Sequence, residues 1–137
     1  MNAIDWVDRM KDILWISLGA VAGANLRFAV NRWATAYFSA SLPYGTLIVN
    51  VTGSFILGFF LVWTTERVLA DPYWRMLIAI GFCGSYTTFS SYSFETLRLF
   101  EAGHYSLALG NFAINNLVSL LAVLGGAVLA RMVSSAT

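Results

Sequence analysis

Long apolar stretches separated by short polar links dominate the pattern of this 137-residue chain. Each stretch is at least as long as the roughly 20 apolar residues that a helix needs to cross the hydrocarbon core of a bilayer. We predict four spans, which run from about Ile13 to Phe38, Tyr44 to Thr65, Tyr73 to Phe100 and Tyr105 to Arg131. The links between them are too short to hold a second domain. A single four-helix transmembrane domain is therefore expected over residues 1–137.

The middle of the third span differs from the other apolar stretches. Residues 81–93 read GFCGSYTTFSSYS, in which two glycines are followed by a run of hydroxyl side chains. Both compositions weaken a helix. Lipid cannot satisfy unpaired backbone groups, so irregular backbone at this depth must face protein or a cavity. We predict a helix break here, the kind of feature at which channels and transporters bind ions.

Composition narrows the class of protein. The chain is 58% hydrophobic and 11% charged, whereas soluble domains carry about 25% charged residues. A net charge of +1 provides no basic field for nucleic acid. The one histidine, His104, lies in a link, and the one cysteine, Cys83, has no partner for an intrachain disulfide. We expect a protein of the lipid bilayer that is not an enzyme and does not bind nucleic acid.

Polar side chains recur within two of the spans at four-residue spacing, which places them on one helix face. These faces comprise Thr46, Asn50 and Ser54 in the second span, and Asn111, Asn115 and Ser119, with Asn116 beside them, in the fourth. Burying such groups unpaired is costly. One interpretation is hydrogen bonding between helices. The other is an ion pathway, which two separate asparagine faces in so short a chain slightly favour.

Four further residues leave alternatives open. Arg27 either extends to the membrane interface or provides a positive charge in a water-filled vestibule. Phe89 and Tyr92 share a helix face. Their rings either pack within the protein or present their edges, which carry partial positive charge, to an anion. Glu95 either pairs within the protein or lies near the far interface.

Lysine and arginine residues show only a weak preference for one side of the predicted membrane topology. Four spans place both termini on one side, which holds Arg9, Lys11, Arg67, Arg75 and Arg131, while the opposite side holds Arg32 and Arg98. The rule that lysine and arginine stay inside favours cytoplasmic termini. Because the bias is modest, we expect subunits to insert in both orientations.

Three fragments taken in order resemble the Fluc (CrcB) family of fluoride channels. They are GAVAGANLR at residues 19–27, GTLIVNVTG at residues 45–53 and GFCGSYTTFSSYSFE at residues 81–95, and the resemblance extends over nearly the whole chain. The resemblance implies an antiparallel homodimer of four-helix subunits with two fluoride pores. It implies passive, selective export of cytoplasmic fluoride across the bacterial inner membrane, which gives fluoride resistance.

The resemblance also implies roles for individual residues. Asn50 matches the pore asparagine of the second span, and Phe89 matches the first of two pore aromatics. Tyr92 stands where the family usually has a second phenylalanine, so a hydroxyl enters the pathway. The family has a row of hydroxyl residues beyond the first pore aromatic, and these positions are matched here by Ser90, Ser91 and Ser93.

Four more positions complete the implied site. Gly84 and Thr87 match the backbone carbonyl donors of a central sodium ion shared by both subunits. Asn115 falls near the polar pore position of the fourth span, and Arg27 matches the arginine of the first span, at the vestibule. Two rival classes predict otherwise. A small multidrug transporter needs a carboxylate deep in its first span, which is missing here, and a purely structural subunit passes no ion.

Overall fold

Helices make up all the regular secondary structure in the residues described, which are 3–39, 41–66 and 71–135 of a computed structural model. We number them α1 to α5, treating residues 72–86 as one continuous helix, α3. Their bounds are α1 Ala3–Tyr37, α2 Tyr44–Glu66, α3 residues 72–86, α4 Phe89–Glu101 and α5 Tyr105–Ser135. The predicted all-α fold, with a break in the third of four helical regions, is confirmed.

Two helix ends differ from the prediction. α1 begins at Ala3 instead of near Ile13, and α5 continues to Ser135 instead of ending at Arg131. Residues 3–12 contain charged side chains but neither glycine nor proline, so nothing stops the helix where the apolar stretch ends. At 1.5 Å per residue, the 35 residues of α1 are about 52 Å long. Because the hydrocarbon core is about 30 Å thick, α1 extends beyond it.

Within the described ranges, three helices are long and apolar enough to span a membrane by themselves. The spanning segments are Arg9–Tyr37, Tyr44–Thr65 and Tyr105–Ser135. The fourth crossing is made by α3 and α4 together, each of which is too short alone. Large apolar side chains such as Val21 on α1 and Leu121 on α5 are exposed on the subunit, as lipid requires. The chain is a multi-pass membrane protein. Arg67 of the predicted charge count lies outside the described residues.

Glycines allow α1 and α3 to pack closely. A Cβ atom added at Gly19 would meet the carbonyl oxygen of Leu77, and one at Gly81 would meet the carbonyl oxygen of Ile16. Gly23 is likewise buried against α3. The prediction that the small residues of the first span allow a close helix approach is therefore confirmed.

A second pair of close contacts joins α2 to α5. A Cβ atom at Gly58 would meet the carbonyl oxygen of Val123, and one at Gly126 would meet the carbonyl oxygen of Phe55. The contact of α2 with α5 is as extensive as that of α1 with α3. The packing brings the polar face of α2 against that of α5.

The break between α3 and α4 is confined to two threonines. Thr87 and Thr88 are extended, with ψ of 157° and φ of −150° respectively. Gly81 and Gly84 stay helical, so the glycines do not cause the break. A π-helical stretch, Arg75–Cys83, precedes it. Thr88 is the N-cap of α4, because its hydroxyl accepts a hydrogen bond from the Ser91 amide at 3.1 Å, as N-cap threonines do.

Candidate ion pathway at the helix break

The side chain of Asn50 on α2 holds the broken backbone. Its Oδ1 accepts a hydrogen bond from the Thr88 amide at 2.8 Å, and its Nδ2 donates to the Thr88 carbonyl at 3.2 Å. One amide group thus satisfies both backbone groups of an extended residue. Such groups would otherwise be unpaired in the apolar interior. The amide orientation is fixed, because the Thr88 N–H only donates and its carbonyl only accepts.

Hydrogen bonds continue from Asn50 along α5. Asn50 Nδ2 also donates to Asn115 Oδ1 at 3.1 Å, and Asn115 Nδ2 donates to Asn111 Oδ1 at 2.9 Å. Asn111 Nδ2 then donates to the hydroxyl of Thr96 on α4 at 2.8 Å. The asparagines therefore do bond between helices, as the first interpretation of these faces expected.

Two of these residues, Asn50 and Asn115, also line a cavity of about 240 Å³ at the break. A water molecule occupies about 30 Å³ in the liquid, so the cavity has room for a small ion with water. Its lining is neutral throughout and consists of Asn50, Ser54, Thr87, Thr88, Phe89, Tyr92, Asn115, Asn116 and Ser119. Hydrogen bonding between the helices is thus observed at Asn50 and Asn115, and the ion pathway through the same two side chains stays a prediction.

The two aromatic residues of α4 lie together at this cavity. Phe89 and Tyr92 form a T-shaped pair with ring centroids 5.4 Å apart and planes at 66°, which agrees with the shared face predicted. Tyr92 is only 5% exposed, whereas Phe89 is 76% exposed. Phe89 is therefore no part of the core of a single subunit. The Tyr92 hydroxyl accepts a hydrogen bond from Asn116 Nδ2 at 2.8 Å.

The three predicted pathway serines lie outside the cavity. Ser90 is exposed, while Ser91 and Ser93 are half-buried. The hydroxyls of Ser90 and Ser91 lie 3.2 Å and 3.1 Å from Thr88 Oγ1. Thr88 itself lines the cavity and was not singled out from the sequence, although a threonine before an apolar helix is a recognisable N-cap. The role of the serines stays a prediction.

A larger cavity of about 510 Å³ lies between the end of α1, the first link and α4, and Glu95 and Arg98 line it. Glu95 pairs within the protein, since the Thr46 hydroxyl donates to its Oε1 at 2.8 Å. The other carboxyl oxygen, Oε2, is buried and has no hydrogen-bond partner among the residues described. Arg27 is half-buried on α1 and lines neither cavity. Its vestibule role also stays a prediction.

The carbonyl groups predicted to bind sodium have lost their helical donors. In a continuous helix the Gly84 carbonyl would bond to the Thr88 amide, but that amide binds Asn50. The Thr87 carbonyl would bond to the Ser91 amide, which binds the Thr88 hydroxyl instead. Gly84 is exposed, and none of the described residues outside its own stretch of helix approaches its Cβ position within 4 Å. This donor set fits a sodium ion, which unwound backbone carbonyls bind in membrane proteins.

Membrane-spanning helices with a break beside a neutral polar cavity define a multi-pass protein of the channel or transporter class. The family described as "CrcB-like protein, Camphor Resistance (CrcB)" matches residues 14–127, and the chain belongs to this family. The resemblance found in the three fragments is thereby confirmed.

Relatives that this chain covers almost completely carry a common name, Fluoride-specific ion channel FluC. The protein from Koribacter versatilis (strain Ellin345) is 51% identical over 124 residues, which cover 90% of this chain and 98% of the relative. The one from Sulfurihydrogenibium sp. (strain YO3AOP1) is 49% identical over 123 residues, covering 90% and 99%. The one from Roseiflexus sp. (strain RS-1) is 44% identical over 122 residues, covering 88% and 98%.

Proposed function

We propose that this chain forms a passive, fluoride-selective channel that exports fluoride from the cytoplasm. The observation that carries the proposal is the neutral cavity at the helix break, where amide, hydroxyl and aromatic groups converge without a formal charge. The names of the relatives, which are 44–51% identical to this chain, support fluoride as the ion.

The lining of the cavity suits a small and strongly hydrated anion. Such an ion enters a narrow site only if protein donors replace its water. Asn50 and Asn115 offer amide groups, and the hydroxyl oxygen of Ser119 is buried and has no hydrogen-bond partner in the part of the chain that the structure describes. The rings of Phe89 and Tyr92 present weakly positive edges. Conduction requires binding weak enough for release, and a set of neutral donors meets that requirement better than a buried cation.

A homodimer would close the pathway that one subunit leaves open. Phe89 lines the cavity and yet is 76% exposed, so a second surface is needed to exclude lipid from this side. We propose an antiparallel pair with one pore on each side of a common interface. The weak positive-charge bias permits both orientations of insertion. Ser90, Ser91 and Ser93 would continue each pathway beyond Phe89, and Arg27 would attract anions to the vestibule.

A central sodium ion would join the two helix breaks. The carbonyls of Gly84 and Thr87 from both subunits would hold it, since neither has its helical donor and Gly84 faces open space. Its role would be structural, because it would fix the extended backbone of both subunits across the interface. The membrane would be the bacterial inner membrane, where outward leak of fluoride gives resistance.

The test is fluoride efflux from liposomes that contain the purified protein, a potassium fluoride interior and a fluoride electrode outside. A passive channel moves net charge, so efflux should begin only when valinomycin lets potassium follow. Liposomes filled with potassium chloride, and protein-free liposomes, are the controls. Equal release of chloride, release without valinomycin, or no release at all would each contradict the proposal.

A further inference from the structure

The hydroxyl group of Tyr92 is held in one hydrogen-bonding state by Asn116. The Nδ2 group of Asn116 carries two hydrogens, of which one is donated to the Phe112 carbonyl at 2.7 Å and the other to the Tyr92 hydroxyl at 2.8 Å. A backbone carbonyl only accepts, so the orientation of the Asn116 amide follows from its bond to Phe112. Tyr92 therefore has to act as the acceptor toward Asn116.

The phenol hydrogen of Tyr92 is consequently not used in this pair. Among the residues described, Asn116 is the one hydrogen-bond partner of the Tyr92 hydroxyl. Tyr92 is 5% exposed and lines the cavity at the break together with Asn116. A phenol accepts and donates at the same oxygen. Its hydrogen is thus left for an acceptor that enters the cavity.

We infer that Asn116 is a positioning residue which commits the Tyr92 hydroxyl to donate its hydrogen to the permeating anion. The inference rests on the proposed function and adds a donor to it: the pathway then contains an O–H group where a phenylalanine would offer only a ring edge. Hydrogen bonds to ions are stronger than neutral ones. A small anion with concentrated charge gains more from this O–H group than a larger one.

The expected effects follow from the loss of this one donor. Tyr92→Phe keeps the ring and removes the hydroxyl, so the fluoride concentration at half-maximal flux should rise about tenfold, a typical factor for one hydrogen bond to a charged group. The maximal rate should change less. Asn116→Ala leaves the hydroxyl in place but no longer oriented, so it should raise the same concentration by about threefold.

The experiment measures fluoride efflux against fluoride concentration for wild type, Tyr92→Phe, Asn116→Ala and the double variant. Asn25→Ala is the matched control, because Asn25 Nδ2 also donates to a carbonyl one turn earlier, that of Val21, at 2.7 Å, without a tyrosine partner. If Asn116 acts through the Tyr92 hydroxyl, the double variant should match Tyr92→Phe alone. The control should leave the half-maximal concentration unchanged.

The outcomes separate this inference from the proposed function. If wild type releases no fluoride, the proposed function fails first. If wild type conducts while the two single effects multiply in the double variant, the positioning role is refuted. If Asn116→Ala lowers only the melting temperature and the half-maximal concentration stays constant, the pair is a structural brace. If Tyr92→Phe leaves that concentration unchanged in a conducting channel, the hydroxyl does not contact the ion.

Discussion

Replacing Asn50 with aspartate tests the helix break and the pathway together. The change keeps the size and shape of the side chain but turns Nδ2 into an oxygen. The Thr88 amide keeps an acceptor, whereas the Thr88 carbonyl at 3.2 Å and Asn115 Oδ1 at 3.1 Å lose their donor and face an oxygen. A negative charge also enters a cavity that has none.

The two consequences have different magnitudes. A buried polar group left without its partner costs about 1–3 kcal/mol, so losing two donor bonds should lower the free energy of unfolding by about 2–5 kcal/mol. A carboxylate about 4 Å from a permeating anion repels it by about 4 kcal/mol at an effective dielectric constant of about 20. That energy corresponds to about a thousandfold lower occupancy of the site.

Asn50→Ala isolates the effect of the charge, because it removes the same donor bonds, and also the acceptor of the Thr88 amide, without adding a negative charge. Both variants should lose thermal stability. Asn50→Ala should keep measurable fluoride flux, while Asn50→Asp should lose it almost entirely. The measurements are melting temperature, elution volume in detergent and efflux from liposomes. Fluoride flux within threefold of wild type in a folded Asn50→Asp protein would show that the cavity at the break is not the pathway. An unchanged melting temperature of both variants would show that the hydrogen bonds from Asn50 to Thr88 contribute no stability.

Three other substitutions probe separate features. Phe89→Ile should cut fluoride flux at least tenfold while the melting temperature hardly moves, since Phe89 is 76% exposed; a parallel loss of both would mean that Phe89 is a packing residue. Gly84→Leu fits the subunit, which leaves open space there, but should abolish the dimer on elution and cross-linking; a normal conducting dimer would exclude Gly84 from the interface. Gly126→Ala should lower the free energy of unfolding by about 1–3 kcal/mol, because its Cβ would meet the Phe55 carbonyl. Gly125→Ala is the control, since its Cβ would make only ordinary contact with the Phe55 ring. Equal melting temperatures of the two variants would refute the close packing of α2 on α5.

Sequence patterns were sufficient for the architecture because a bilayer allows few solutions. Apolar length alone predicted the spans, and lipid forbids unsatisfied backbone, so a helix break implied a protein-lined site. The spacing of Gly19 and Gly23 predicted a close helix contact, which α3 provides. The extent of α1 was missed, because hydropathy marks where lipid ends and not where a helix ends.

The site was only partly predictable, because its contacts join residues far apart in the chain. Four-residue spacing identified the faces that contain Asn50 and Asn115, but no local pattern gives the bond from Asn50 to Thr88 across 38 positions. Gly81 and Gly84 suggested the position of the break, but the helix breaks at Thr87 and Thr88 instead. Asn116 is adjacent to Asn115 in the sequence, and only the packing of α2 and α4 on α5 shows that the two asparagines contact different partners.

Several hydrogen-bond donors at the helix break already have partners within the protein, which explains how the cavity would release a bound ion. Both hydrogens of Asn50 Nδ2 are already used within the protein, one on Thr88 and one on Asn115. Under the proposed function, fluoride would bind Asn50 only by replacing Asn115 Oδ1 as acceptor. That exchange breaks one neutral hydrogen bond for each bond formed to the ion, so the net gain is smaller than at a donor that has no partner. The Tyr92 and Ser119 hydroxyls lack this competition, because Asn116 uses only a lone pair of the Tyr92 oxygen and the Ser119 hydroxyl has no hydrogen-bond partner among the described residues. Fluoride would therefore meet free donors at Tyr92 and Ser119, and at Asn50 a donor that already has an acceptor. Such a set of neighbouring sites, none of which binds too tightly, is what rapid conduction requires.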